Sequence, residues 1–234
     1  MNQNREAVLI TGASKRIGLA LATECLAMGF SAVIHYRTSA EPAQTEFKER
    51  EDVFFLQQEL CELPQRLIER AGELPVTLRG LINNASVFTE GNLADSDHFE
   101  QIISTNVTVP VKLAGCFAQK VTEGWIVNIT DAHIEGINRR YQNYRISKKL
   151  LNDITLQMAH LFAPAIRVNA IAPGAILPAA QETHSEFQAL TEKIPLKRSG
   201  SVDDLRGTLR FLVENEYVTG EIIRVDGGWH LGKV

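Results

Sequence analysis

The sequence predicts an α/β fold, one doubly wound parallel sheet with helices on both faces. Three observations predict it. Short apolar runs recur along the whole chain, several of them continuous rather than alternating, as "WIVNI" is, and a strand buried on both faces of a parallel sheet has that pattern. Helix-length amphipathic segments separate the runs, and strand–helix alternation implies right-handed crossovers in one sheet. A glycine-bearing turn, "TGASKRIG" from Thr11 to Gly18, follows the first run directly and opens a helical pattern.

The candidate strands, in order, are Ala7–Thr11, Ala32–Tyr36, Val53–Gln57, Gly80–Asn83, Trp125–Thr130, Arg167–Ile171 and Glu221–Val225. The first helix, Ile17–Met28, is closed by Gly29, a natural stop. Phe99–Gln119 contains Pro110, which kinks or divides it. Tyr144–Leu161 is amphipathic and ends before Pro164. Ser201–Glu214 opens on Ser-Val-Asp-Asp, and Asp203 and Asp204 suit a helix N-terminus. No linker, repeat or low-complexity stretch interrupts the pattern, so residues 1–234 read as a single Rossmann-type domain. The longest irregular region, from Gly174 to about residue 200, is expected to be a loop over a site.

Composition narrows the function classes. The chain has 234 residues, enough for one well-buried domain. A net charge of −4 gives no support for binding nucleic acid or a membrane surface. Cys25, Cys61 and Cys116 are odd in number and widely spaced, which predicts reduced thiols in or near the core. The six histidines form no ligand cluster, so no metal site is expected. No apolar stretch reaches the ~18 residues of a spanning helix, and Met1–Glu6 lacks an apolar signal core. The expectation is a soluble cytoplasmic protein.

In a doubly wound sheet the first strand-to-helix turn lies beside the ligand crevice. Gly12 permits the tight turn, Gly18 lets helix and strand pack closely, and the helix N-terminus offers free N–H groups to a pyrophosphate. Lys15 and Arg16 add positive charge there. The second strand ends in His35-Tyr36-Arg37-Thr38-Ser39, with no acid at its tip to hold a ribose 2′-hydroxyl. Arg37, with the hydroxyls of Thr38 and Ser39, suits a 2′-phosphate instead, because an Arg–phosphate pair is charge-assisted and can be bidentate. The cofactor expected is NADP(H).

Three further motifs sit at compatible distances: "NNAS" from Asn83 to Ser86, Asn106 within "STNV", and "YRISK" from Tyr144 to Lys148. Together with "TGASKRIG", "IRVNAIAPG" and the late "VDGG", this ordered set resembles the short-chain dehydrogenase/reductase family along nearly the whole chain. Tyr144 and Lys148 stand four residues apart and share a helix face. A neighbouring ammonium favours the phenolate, so Lys148 is expected to lower the pKa of Tyr144 toward useful acid strength. The resemblance implies that Lys148 also holds the nicotinamide ribose and that Asn106 helps order a relay water. It implies further cofactor contacts from Ile17, Tyr36, Asn84, Ala85, Ser86, Tyr144, Pro173 and Gly174. At the adenine end, Glu59 and Leu60 stand where relatives place an aspartate and an apolar residue.

One position departs from the family pattern. Where most members carry a serine that donates to the substrate carbonyl, this chain has Asp131, in "NITDAH". Thr130 is one residue earlier and points to the opposite face. An ionised carboxylate cannot donate and would repel the oxyanion of ketone reduction. A substrate with N–H groups, or a ring nitrogen that must gain a proton, suits an aspartate better. Arginine in the glycine turn, "HY" with a basic residue following, "NNAS" followed closely by Phe88, and Asp131 with Tyr144 and Lys148 resemble the pteridine reductase and dihydromonapterin reductase branch. That resemblance implies a pterin substrate, contacted by Arg16, Ser86, Phe88, Asp131 and Tyr144, with Phe88 stacked on the ring and Arg16 reaching its polar edge while its charge offsets Asp131. It also implies a homo-oligomer, with a tetramer favoured. The alternatives are a short-chain ketone or 3-oxoacyl reductase and a non-catalytic NADP(H)-binding module. Tyr141 has no lysine four residues on, and Arg139, Arg140 and Tyr141 are expected to face solvent. Leu177, His184 and Phe187 are candidates for capping the site.

Overall fold

Strand β1 (Arg5–Ile10) lies inside a seven-stranded sheet of order β3-β2-β1-β4-β5-β6-β7, in which every neighbouring pair is parallel. The other strands are β2 (Ser31–Tyr36), β3 (Val53–Gln57), β4 (Val76–Asn83), β5 (Gly124–Ile129), β6 (Ile166–Pro173) and β7 (Ile222–Val225). The computed structural model describes residues 5–136, 138–179 and 182–232.

The two faces divide the apolar residues cleanly. Ala7 and Leu9 point to one core, which α3 (Pro64–Gly72), α5 (Val109–Lys120) and α6 (Gln142–Phe162) cover with Leu67, Ile68, Leu113, Phe117 and Met158. Val8 and Ile10 point to the other, covered by α1 (Arg16–Ala27) and α8 (Val202–Glu214) through Leu21, Cys25, Leu205 and Leu209. Period-2 alternation along a strand with both faces apolar leaves no polar position, which is why the runs read as continuous. Gly29 ends the first helical segment at φ +91°, a conformation that costs glycine little.

Several elements differ from expectation. β4 begins at Val76 rather than Gly80; its first half alternates, with Val76 and Leu78 buried and Thr77 exposed. Helices α2 (Glu41–Glu46) and α3 were not anticipated: each is short and begins on a proline in its first turn, where the missing N–H costs nothing. The segment expected as Phe99–Gln119 starts earlier, as α4 (Ser96–Ile103) capped by Asp95, which accepts from the His98 N–H at 3.0 Å. A π-turn at Ser104–Thr108 then interrupts it, and α5 resumes with Pro110 in its first turn. Helix α7 (His184–Thr191) lies inside the region expected to be irregular, opened by a capping box of Thr183 and Glu186; Ala180 and Gln181 of that region fall outside the described residues. The expectation for the thiols holds for Cys25 but not Cys61, which is exposed; all three are free.

The chain leaves β1 for β2 on one side and returns to β4 on the other. The connections that leave the carboxyl ends of β1 and β4 therefore diverge and open a crevice.

Candidate active site

The crevice is a cavity of about 1600 Å³ running from the tip of β2 past β1, β4 and β5 to the region after β6. At its floor the glycine turn is locked in place. Gly12 has φ +63°, and a Cβ there would stand 3.0 Å from the Ala85 Cα. A Cβ on Gly18 would lie 2.6 Å from both the Gly12 carbonyl and the Asn84 side chain. Asn84 donates to the carbonyls of Thr11 (2.8 Å) and Gly12 (3.0 Å), while the Thr11 hydroxyl accepts from the N–H groups of Asn84 and Ala85. These two residues brace the turn from β4. Helix α1 has no side-chain cap and no acid in its first turn, so its N–H groups and dipole remain available to an anion. This cradle fits a dinucleotide pyrophosphate, with Lys15, Arg16 and Ile17 on its rim.

His35 was missed as a site residue. It is buried, accepts from the Gly12 N–H at Nδ1 (3.1 Å), and meets the Gln58 carbonyl through Nε2 (3.0 Å). Burial holds its pKa below the ordinary value, so one neutral tautomer serves both bonds and ties the glycine turn to the end of β3. The "HY" pair was its only sequence signal. Beyond it Tyr36, Arg37, Thr38 and Ser39 line the cavity on one side, with Glu59 and Leu60 on the other. Arg37 is exposed, and no carboxylate oxygen of the described residues lies within 4.0 Å of it. Leu60 is buried, and Glu59 accepts from the Cys61 N–H at 3.3 Å.

At the far end, Tyr144 donates to Asp131 Oδ2 at 2.9 Å, and Asp131 Oδ1 accepts from the His133 N–H at 2.7 Å. Removal from water raises the Asp131 pKa, opposed by those two hydrogen bonds and by the charges of Lys148 and His133. Thr130 is buried, with its hydroxyl directed at the Ile171 carbonyl (3.4 Å), so it does not replace the absent serine. Lys148 is buried, donates to the Ile129 carbonyl at 2.8 Å, and has its pKa pushed down to about 8 by burial.

Two expectations need correction. Lys148 does not acidify Tyr144: burial and then the Asp131 carboxylate raise the phenol well above its ordinary value. In the pair, Tyr144 is the hydrogen-bond donor and Asp131 the acceptor. The Asn106 side chain is fully engaged: its Oδ1 accepts from Ser86 Oγ (3.2 Å) and the Val87 N–H (2.8 Å), and its Nδ2 donates to the Val87 carbonyl and Ser147 Oγ, both at 3.0 Å. Asn106 sits in the π-turn and pins the Ser86–Val87 strap to α6. The basic side chain whose charge chiefly acts on Asp131 is Lys148, not Arg16. Arg16, in the left-handed region at φ +57°, donates to the Pro178 carbonyl at 2.7 Å and links the glycine turn to the loop after β6.

Phe88 is exposed and lies flat against Tyr141 (4.7 Å between centroids, 8° between planes), with Tyr144 edge-on to it at 4.7 Å. Tyr141 therefore faces the cavity rather than solvent. Leu177 and Phe187 line the same space; His184 does not. Pro173 and Gly174 close the cofactor side, where a Cβ on Gly174 would lie 2.6 Å from that of Asp226. Trp229, stacked on His133 at 4.0 Å, also borders the cavity and carried no sequence signal.

A family model described as Enoyl-(Acyl carrier protein) reductase matches residues 12–230. Among curated relatives, the 3-oxoacyl-[acyl-carrier-protein] reductase FabG of Staphylococcus epidermidis is 29% identical, covering 97% of this chain and 99% of that one. Pteridine reductase 1 of Leishmania tarentolae is 28% identical over 95% of this chain and 96% of its own. Among solved structures, FolM Alternative dihydrofolate reductase 1 from Brucella suis, in complex with NADP, superposes with a TM-score of 0.92 at 31% identity, covering 97% of this chain and 96% of that one.

Proposed function

The chain belongs to the short-chain dehydrogenase/reductase family, and on that footing we propose that this oxidoreductase reduces a pterin with NADPH, taking a dihydropterin to its tetrahydro form. The observation that carries the reading is the hydrogen bond from Tyr144 to Asp131 at the point where a ketone reductase needs a hydroxyl donor. The flat aromatic wall of Phe88 and Tyr141 beside that pair supports a planar ring as substrate. The likeness to a pteridine reductase and to an alternative dihydrofolate reductase supports the same class, and the NADP in that solved relative supports the cofactor.

NADPH, when bound, supplies a hydride to the carbon of a ring C=N bond, and the adjacent nitrogen takes up one proton. The glycine turn, the open end of α1 and Arg37 hold the pyrophosphate and the 2′-phosphate. Lys148 and Tyr144 border the nicotinamide end. Asp131, with its pKa raised by burial, provides the proton, and Tyr144 orients the carboxyl through its O–H. Phe88 and Tyr141 position the ring, and Asn106 fixes the strap that carries Phe88. Exposed Val111 on α5 and Leu150, Leu156 and Leu161 on α6 support assembly into a homo-oligomer, a tetramer by the family's habit. No described helix is long and apolar enough to cross a membrane.

NADPH oxidation by the purified protein, followed with a dihydropterin and in parallel with ketones and a 3-oxoacyl thioester, tests the reading. Turnover of the dihydropterin alone is expected. Brisk use of the oxoacyl thioester with the pterin ignored favours the rival that the FabG likeness represents.

A further inference from the structure

Arg145 follows Tyr144 directly on α6, so its side chain leaves the helix ~100° away from the face that Tyr144 and Lys148 share. It is 6% exposed and runs beneath the segment after β5, where its Nη2 donates to the Glu135 carbonyl. Its Nε is buried with no partner, and no Asp or Glu oxygen of the described residues lies within 4.0 Å of the guanidinium. Among the described residues, buried Lys148 also meets only a backbone carbonyl, but its nitrogen is not orphaned as the Arg145 Nε is, and two enclosed carboxylates are matched by charge. Glu24 is bound by Arg206 and Arg210, and Asp226 by His230. A guanidinium withdrawn from water with one backbone acceptor is costly unless an anion completes it.

The cavity supplies a route to that anion. Arg145 lines it together with Tyr144, His133 and Trp229. His133 and Trp229, stacked on each other with their rings 5° from parallel, bring an aromatic pair into the same lining. Arginine presents a planar fork that matches a carboxylate better than a lysine can. The cofactor's phosphates are accounted for elsewhere, at the glycine turn and at Arg37.

We propose that Arg145 is a specificity residue that binds a carboxylate on the substrate's tail, so that the enzyme favours pterins bearing an acidic side chain. The proposal rests on the pterin reading above and adds the chemistry of the tail.

The test compares wild type with Arg145→Gln and Arg145→Lys on two substrates, a dihydropterin with an uncharged polyol side chain and dihydrofolate, whose tail ends in carboxylates. In Arg145→Gln the KM for dihydrofolate should rise about tenfold or more with kcat little changed, while the KM for the neutral pterin stays within about twofold. Arg145→Lys, which keeps the charge and is the safer variant for folding, should fall between. Equal losses on both substrates, or none on either, overturn the proposal. A loss confined to NADPH affinity overturns it too, by assigning the anion to the cofactor. Calorimetry of folate binding to the NADP⁺-saturated protein gives an arm that needs no turnover. Binding that weakens in Arg145→Gln sustains the proposal even if the reductase reading fails, and folate binding that is absent in wild type or unaltered in the variant ends it.

Discussion

Tyr144 donates its phenolic hydrogen to Asp131 across 2.9 Å, while the Lys148 ammonium that shares its helix face is spent on the Ile129 carbonyl. The proton therefore resides between an oxygen acid and a phenol, and burial raises the pKa of both. Tyr144→Phe removes one of the hydrogen bonds that hold the Asp131 pKa down. Pterin reduction should fall by ~10²-fold or more, as for loss of a positioned acid's partner. The residual activity should keep its protonated acid to higher pH, moving the alkaline limb of the kcat profile upward. A pH–rate series on the two proteins checks the direction.

Lys148 gives a stability prediction with a defined window. Its folded pKa of about 8 lies below the ordinary 10.5, so the fold disfavours the charged form. Below pH 8 both folded and unfolded chains carry the charge and the penalty is complete; between about 8 and 10.5 the folded chain is already neutral and the penalty fades. Lys148→Met should stabilise the protein at pH 7 by up to about 3 kcal/mol, less the lost bond to Ile129. The gain should shrink toward pH 10.5, as read from denaturant midpoints across that range.

Arg37 sets the choice of cofactor. Arg37→Glu should raise the KM for NADPH by ~10–100-fold, the loss of a charge-assisted phosphate contact of about 1.5–3 kcal/mol, and leave NADH affected far less. Initial rates with the two cofactors decide it; an unaltered preference removes Arg37 from the phosphate site.

Arg16 joins the glycine turn to Pro178, so its removal should loosen both ends of the cavity. Arg16→Gly also relieves the left-handed backbone, worth ~1 kcal/mol. The variant should melt no lower than wild type, yet show weaker binding of NADPH and of pterin together. Thermal melts and binding titrations separate the two effects.

The sheet was legible because each strand is buried on both faces, which leaves runs such as Val8–Ile10 and Ile126–Ile129 unmistakable. Helices α2, α3 and α7 were not: at six to nine residues they show too few turns to display a period, and their signals were a first-turn proline or a capping pair. In the site, the spacing of Tyr144 and Lys148 placed both on one face, as found. Spacing carries no information about depth, however, and depth reverses the expected shift of Tyr144. The bracing part of Asn106 was not legible because its four side-chain bonding positions are filled by partners as distant in sequence as Ser147. His35 and Tyr141 act through contacts with the glycine turn and with Phe88 that only the tertiary arrangement creates.

The central claim is that an acid in place of the usual hydroxyl donor directs this site to a nitrogen-containing ring. Steady-state kinetics of Asp131→Ser against wild type, on a dihydropterin and on a 3-oxoacyl thioester, test it most directly. The substitution should lower kcat/KM for the pterin by ~10²-fold or more and raise any activity on the thioester. Pterin turnover that survives the serine undiminished would contradict the claim.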